Sequence, residues 1–390
     1  MAKVKSAVKP EVKSDAVHKR IKQRDTATKQ KIVGLADEVT KKTFANKEPT
    51  IAIPVRAKSN TIWNRKRGIL EMGDNRADRQ LFNLNQAKQY MQTLLHASSI
   101  KELIEREKTL TLRGMFYAAK HTVAGTNENT FDVQDESDPI LEDLEVSLGV
   151  LREELHVFAK KAGTVAGNIT VVDRGVPGRA DEINLRQMGS GGWAVPSIVE
   201  PDTLEFKKCD AKFVLHVEKN TVWQRFNEDR FWEEHNCILT EGSGQPPRGV
   251  RRLLKRLNEE LDLPVYCLLD CDPWGHYIFS VIKQGSMSLA FESERLAIPK
   301  AKFIGIRAKD YEECDLPDSV KIDLNDNDRK RASEIAGYPW FKDHKLWQKE
   351  IAKMVSNGFK MEVESLIAKD ISYVTEEYVP QRLQKKDWLE

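Results

Sequence analysis

The sequence predicts a mixed fold, an α/β domain preceded by an α+β module, and three observations carry that reading. From residue 212 onward, short apolar runs alternate with helical stretches, the pattern of a doubly wound or related α/β domain. Two of those runs end directly in acids, Glu218 after Lys212-Phe-Val-Leu-His-Val217 and Asp270-Cys-Asp272 after Leu263-Pro-Val-Tyr-Cys-Leu-Leu269. The preceding part shows amphipathic helices and then a strand entering a tight turn, with no such alternation.

Taken in order, residues 1–70 hold 18 Lys and Arg against 6 Asp and Glu, whereas the other 320 residues sum to about −10. That polarity, with little helical periodicity, predicts a basic extension, with order beginning near Leu70. Apolar residues at helical spacing then predict a helix over 86–106, capped by Asn85. In Thr109–His121, Leu112, Met115, Phe116 and Ala119 fall on one helical face, and Arg113, Tyr117, Lys120 and His121 share the other. A further helix is expected over 139–161, and Asn168–Gly178 reads as a strand and turn, the start of a hairpin or wing. Helices followed by a small hairpin point to a winged helix-turn-helix module.

Beyond a Gly189–Pro196 loop, strands are expected at 212–217, 237–240, 264–269 and 302–306, and helices at 220–234, 246–261 and 274–283. After 325 the chain reads as mostly helical. The expected domains are therefore a 1–70 basic extension, a 71–180 winged-helix domain, a 181–205 linker and a 206–390 α/β domain with a helical elaboration.

Several classes drop out. No run approaches the roughly 18 apolar residues of a membrane span, and the polar start Met1-Ala-Lys-Val-Lys-Ser is no secretory signal, so a cytoplasmic, chromosome-associated protein is expected. The five cysteines (209, 237, 267, 271, 314) lack a CxxC pair and read as buried free thiols. No G-x-x-x-x-G-K-[ST] occurs, so ATP, if required, would be bound by a partner. The glycine-rich Thr240-Glu-Gly-Ser-Gly-Gln-Pro-Pro247 stretch before a helix is a weak anion-binding signal.

The acids carry the chemistry. Carboxylates emerging at strand ends repel one another unless they share a hard cation, most simply Mg²⁺. Asp270 and Asp272, at i and i+2, leave the same side of the chain, and Pro273 and Gly275 turn it sharply. Tyr117 alone would be an ordinary amphipathic residue, but a phenol attacks phosphorus once its proton is removed and the developing charge is met. Arg113 one turn earlier could supply that charge, and His121 or a water could accept the proton.

Five segments in order, Leu112-Arg-Gly-Met-Phe-Tyr117, Met188-Gly-Ser-Gly-Gly-Trp-Ala-Val-Pro196, Asp210–Lys219, Gly242-Ser-Gly-Gln-Pro246 and Leu269-Asp-Cys-Asp-Pro-Trp-Gly275, closely resemble the A subunit of DNA topoisomerase VI, whose family includes the meiotic double-strand-break protein. The resemblance implies a CAP-like winged-helix domain bearing the nucleophile and a Toprim domain holding Mg²⁺. Carried over by position, it makes Tyr117 the nucleophile, Arg113 its supporting cation, and Glu218, Asp270 and Asp272 the metal ligands. It further implies transient double-strand breaks through 5′-phosphotyrosyl links, double-stranded DNA as substrate, an A-subunit homodimer, and a GHKL-type ATPase B subunit completing an A2B2 heterotetramer. Gly114, where the family commonly has an acid, and Trp274, where tyrosine is frequent, depart from its pattern. A Toprim-type metal-dependent nuclease and a break-forming protein that does not reseal are the alternatives.

Overall fold

The computed structural model describes residues 14–159, 162–176 and 178–390, and the chain divides into two compact units. The first comprises residues 1–60 and 73–160, the second 61–72 and 161–390.

The first unit corrects the expected irregular extension. Ser14–Phe44 is a single helix, and Thr50–Pro54 pairs antiparallel with Arg76–Gln80. Residues 1–13 of the expected extension lie outside the described residues. The helix is held because Thr28 and Ile32 are buried, Lys31 Nζ donates to the Gly149 carbonyl at 3.1 Å, and Asp25 meets His156 at 3.1 Å. Leu84–Glu105 follows, capped by Asn83 rather than Asn85, whose N–H donates to the Asn83 side chain. The expected 139–161 helix starts earlier, at Gln134, and stops at Leu148 because Gly149 turns left-handed at φ 58°. The chain then makes a 3-10 turn over Arg152–Leu155 and a strand Val157–Phe158 that pairs in parallel with Leu110–Thr111. Ile32, Ile100, Met115, Leu141, Leu144 and Leu155 form the shared core of this unit.

In the second unit the alternation is as expected. Strands Val214–Val217, Ile238–Glu241, Val265–Leu268 and Lys302–Phe303 are interleaved with helices Asn220–Glu228, Arg248–Leu261 and Pro273–Gln284. Val214–Val217 is central, with Ile238–Glu241 on one side and Val265–Leu268 then Lys302–Phe303 on the other, all parallel. Thr164–Gly167 and then Trp193–Ala194 extend the sheet antiparallel beyond Ile238–Glu241. Val214–Val217 and Ile238–Glu241 are buried at every position, as expected of central parallel strands.

The expected wing is corrected too. Ile169–Asp173 does pair with Asp181–Asn184, but Leu204–Cys209 joins them in a three-stranded antiparallel sheet that belongs to the second unit. Residues 181–205 are accordingly no linker, and the division falls near 160 rather than 180. A hairpin of Thr61–Asn64 and Ile69–Met72 belongs to this unit as well, with Arg65 paired to Asp343. The helical tail is borne out by Asp326–Ala336, Lys345–Asn357 and Val379–Lys385. All five cysteines are free, three of them buried and Cys209 and Cys314 half-buried. No helix among the described residues is long and apolar enough to cross a membrane.

Candidate active site

In the first unit Tyr117 stands on the helix Leu112–Ala119. Thr111 starts that helix by accepting the Gly114 N–H at 3.0 Å, and the short strand Leu110–Thr111 fixes where it begins. Met115, Phe116 and Ala119 are buried and face inward, which leaves Tyr117 outward and 59% exposed. Its ring lies 5.0 Å from that of Phe116, and the Arg113 guanidinium carbon is 5.8 Å from its centroid. Hydrogen bonding and then charge from Arg113 hold the phenol below its ordinary value of 10, with Lys120 adding to the effect.

The expected shared face is shortened. The helix ends at Ala119, Lys120 is extended, and its ammonium donates to the Asp132 carbonyl at 2.9 Å. His121 therefore lies past the helix, where its N–H donates to Thr130 Oγ1 at 3.0 Å. Of the three cations expected beside the phenol, Arg113 keeps the helical relation fully.

In the second unit Glu218, Asp270 and Asp272 leave the carboxyl ends of two adjacent parallel strands, Val217 being opposite Leu268. Strand order reverses at Val214–Val217, so the acids stand at the topological switch point where open α/β sheets bind ligands. Three contacts fix them. Glu218 accepts the Asp270 N–H at 3.2 Å, Asp270 Oδ1 accepts the Val363 N–H at 2.8 Å, and Asp272 Oδ1 accepts the Gly275 N–H at 2.5 Å as cap of the Pro273–Gln284 helix. The Gly242–Pro247 loop folds back, its Gly244 N–H donating to the Glu218 carbonyl at 2.8 Å, so it braces this edge. Asp270 is buried at 5% exposure. Burial, and next the charge of Asp270, push Glu218 up; burial also raises Asp270, with Lys219 pulling the other way, and raises Asp272.

Four charged residues here were missed in the sequence. Lys219 Nζ is 2.9 Å from Asp270 Oδ2, 3.0 Å from Glu362 and 3.3 Å from Glu364. Glu241 ends the neighbouring strand, buried, its carboxylate accepting the Ser243 N–H at 2.6 Å. Glu241 carried the same signal as Glu218, an acid closing an apolar run, whereas Glu362 and Glu364 had none. Among the described residues no three His, Cys, Asp or Glu side chains already stand in metal-binding geometry. The donor set nevertheless suits a hard cation, since it is all carboxylate oxygen and an ammonium already occupies the position beside Asp270.

Three family models match successive parts of the chain. Residues 88–157 match "Type IIB DNA topoisomerase", 161–210 match "All-beta domain in DNA topoisomerase VI alpha subunit", and 213–383 match the Toprim domain shared by the topoisomerase 6 A subunit and Spo11. The A subunit of type 2 DNA topoisomerase 6 from Hyperthermus butylicus is 40% identical over 90% of this chain and 93% of its own. Its counterpart from Aeropyrum pernix is 38% identical over 88% and 90%, and that from Methanocaldococcus jannaschii 34% over 97% and 100%. The chain belongs to the family of topoisomerase VI A subunits. Within that family's pattern the switch-point strands fall inside the Toprim match, Tyr117 falls inside the Type IIB topoisomerase match, and the three-stranded sheet coincides with the all-beta match.

Proposed function

We propose that Tyr117 is the nucleophile of DNA cleavage and that Glu218, Asp270 and Asp272 hold a Mg²⁺ ion. As a topoisomerase VI A subunit, the chain is the DNA-cleaving subunit of a type IIB DNA topoisomerase. The observation that carries the residue assignment is the exposed phenol whose acidity is raised by Arg113 on its own helix.

Tyr117 Oη passes its proton to a water and attacks a backbone phosphorus; the bond from phosphorus to the 3′-oxygen breaks, and that oxygen takes a proton back from water, leaving a 5′-phosphotyrosyl link and a free 3′-hydroxyl. Arg113 favours the phenolate before attack, and in this reading the same cation meets the charge that develops on the phosphate. When bound, Mg²⁺ supplies electrostatic stabilisation of the phosphate and the departing 3′-oxygen. Asp270 is the pivot of its site, because both of its oxygens and its N–H are engaged and its burial strengthens each contact. Reversal of the attack by the 3′-hydroxyl restores the duplex.

The first unit, with its helix-borne tyrosine, is the DNA-binding domain in this reading. Two copies of the chain grip one duplex, and two B subunits of the GHKL ATPase type drive passage of a second duplex, ATP being bound by the partner. A denaturing assay for protein covalently joined to DNA, run with the B partner, compares wild type with Tyr117→Phe. Adducts are expected from the wild type alone; their persistence in the variant refutes the assignment. Free 5′-phosphate ends without adduct would instead indicate a water-using nuclease.

A further inference from the structure

Each acid of the switch point is already engaged, and the engagements differ in kind. Glu218 and Asp272 accept backbone N–H groups, contacts that leave carboxylate lone pairs available to a cation. Asp270 has Oδ1 on the Val363 N–H and Oδ2 on the Lys219 ammonium at 2.9 Å. The single full positive charge touching any of the three acids is therefore Lys219, among the described contacts. It also has somewhere else to go: Glu362 at 3.0 Å and Glu364 at 3.3 Å hold the same nitrogen, and Glu364 is itself steadied by Thr221 Oγ1 at 2.8 Å. Glu362 is half exposed, so this second holder lies on the wet side of the buried Asp270.

We propose that Lys219 is a built-in counter-cation that closes the metal site of the metal-free chain and is displaced from Asp270 Oδ2 onto Glu362 and Glu364 when a divalent ion enters. The proposal rests on the metal reading of Glu218, Asp270 and Asp272 above. Without the Lys219 ammonium the metal-free protein would carry a buried carboxylate facing other acids uncompensated, which is strongly unfavourable. With it, loading becomes an exchange of cations at one oxygen, and Lys219 is a positioning residue that sets how much divalent ion the site requires.

The test uses the full chain and Mn²⁺ alone, followed by electron paramagnetic resonance. Lys219→Met should tighten the apparent Mn²⁺ dissociation constant about tenfold, since it removes a like charge at ligand distance, whereas Lys219→Arg should not tighten it. Independently, acetylation of wild-type lysines read by mass spectrometry should show Lys219 reacting several-fold faster with Mn²⁺ present. If Asp270→Asn abolishes Mn²⁺ binding but Lys219→Met leaves the affinity unchanged or weaker, or if Lys219 labelling ignores the metal, the exchange is refuted while the metal site stands. If Asp270→Asn binds Mn²⁺ as wild type does, the metal site itself is refuted and the exchange with it. Should Lys219→Met not fold, the labelling comparison decides.

Discussion

Gly275→Ala isolates how the turn after Asp272 positions the site. A Cβ at 275 would lie 2.4 Å from the Asp270 carbonyl oxygen, 3.2 Å from its carbon and 3.3 Å from its nitrogen, whereas ordinary contact begins at 3.4 Å. Backbone atoms cannot rotate aside like the tip of a side chain, so the Asp270 peptide must retreat by about 1 Å or the helix start must move away. Overpacking of this kind costs about 1–3 kcal/mol. The retreat is also lateral displacement of the carboxylate that holds Lys219 and of the N–H that holds Glu218. A misplacement of about 1 Å lowers a positioned reaction about 100-fold. Urea unfolding should show the stability loss, and covalent-adduct yield at saturating Mg²⁺ the functional one. Wild-type unfolding together with wild-type adduct yield would refute the claim that this contact sets the ligand geometry.

Other perturbations separate stability from chemistry. Gly34, inside the Ser14–Phe44 helix with open space where its Cβ would go, should on replacement by Ala stabilise the chain by about 0.5–1 kcal/mol in urea unfolding, with adduct yield unchanged. Asp272→Ala should lose both the Gly275 cap, about 1 kcal/mol, and Mn²⁺ affinity, while Asp272→Asn should keep the cap and lose the affinity; equal unfolding midpoints for the two would exclude the capping role. His156 is disfavoured as a cation by burial, yet its bonds to Asp25 and to the Lys108 carbonyl raise it above 6.5 overall. A raised folded value means its contribution is full below 6.5 and fades as pH climbs through that folded value. The unfolding gap between wild type and His156→Gln should therefore be wider near about pH 5.5 than near about pH 8.5, and a gap constant with pH would rule the pair out as a titrating anchor.

How much was legible in the sequence follows from how local each signal is. The second unit was readable strand by strand because the strands of its parallel sheet are buried along their length, so they are mostly apolar and an acid closing one stands out at a sheet edge. Tyr117 and Arg113 were readable because four residues is one turn of one helix. The Ser14–Phe44 helix was not, although Thr28, Ile32, Leu35 and Val39 keep helical spacing, because lysines and arginines surround a seam only one residue wide per turn. The hairpin at 169–184 was found but assigned to the wrong unit, since hairpin signals fix the pairing of two strands and are silent about which third strand joins them. Lys219 marks the same limit inside the site. Its identity beside Glu218 was plain, but its partners were not: Glu364, 145 positions away, and Val363, whose N–H meets Asp270, both come from the 3-10 turn Val363–Ala368. The proposed ligands are therefore legible at strand ends, while the charged partners that surround them come from a part of the chain that carries no strand signal.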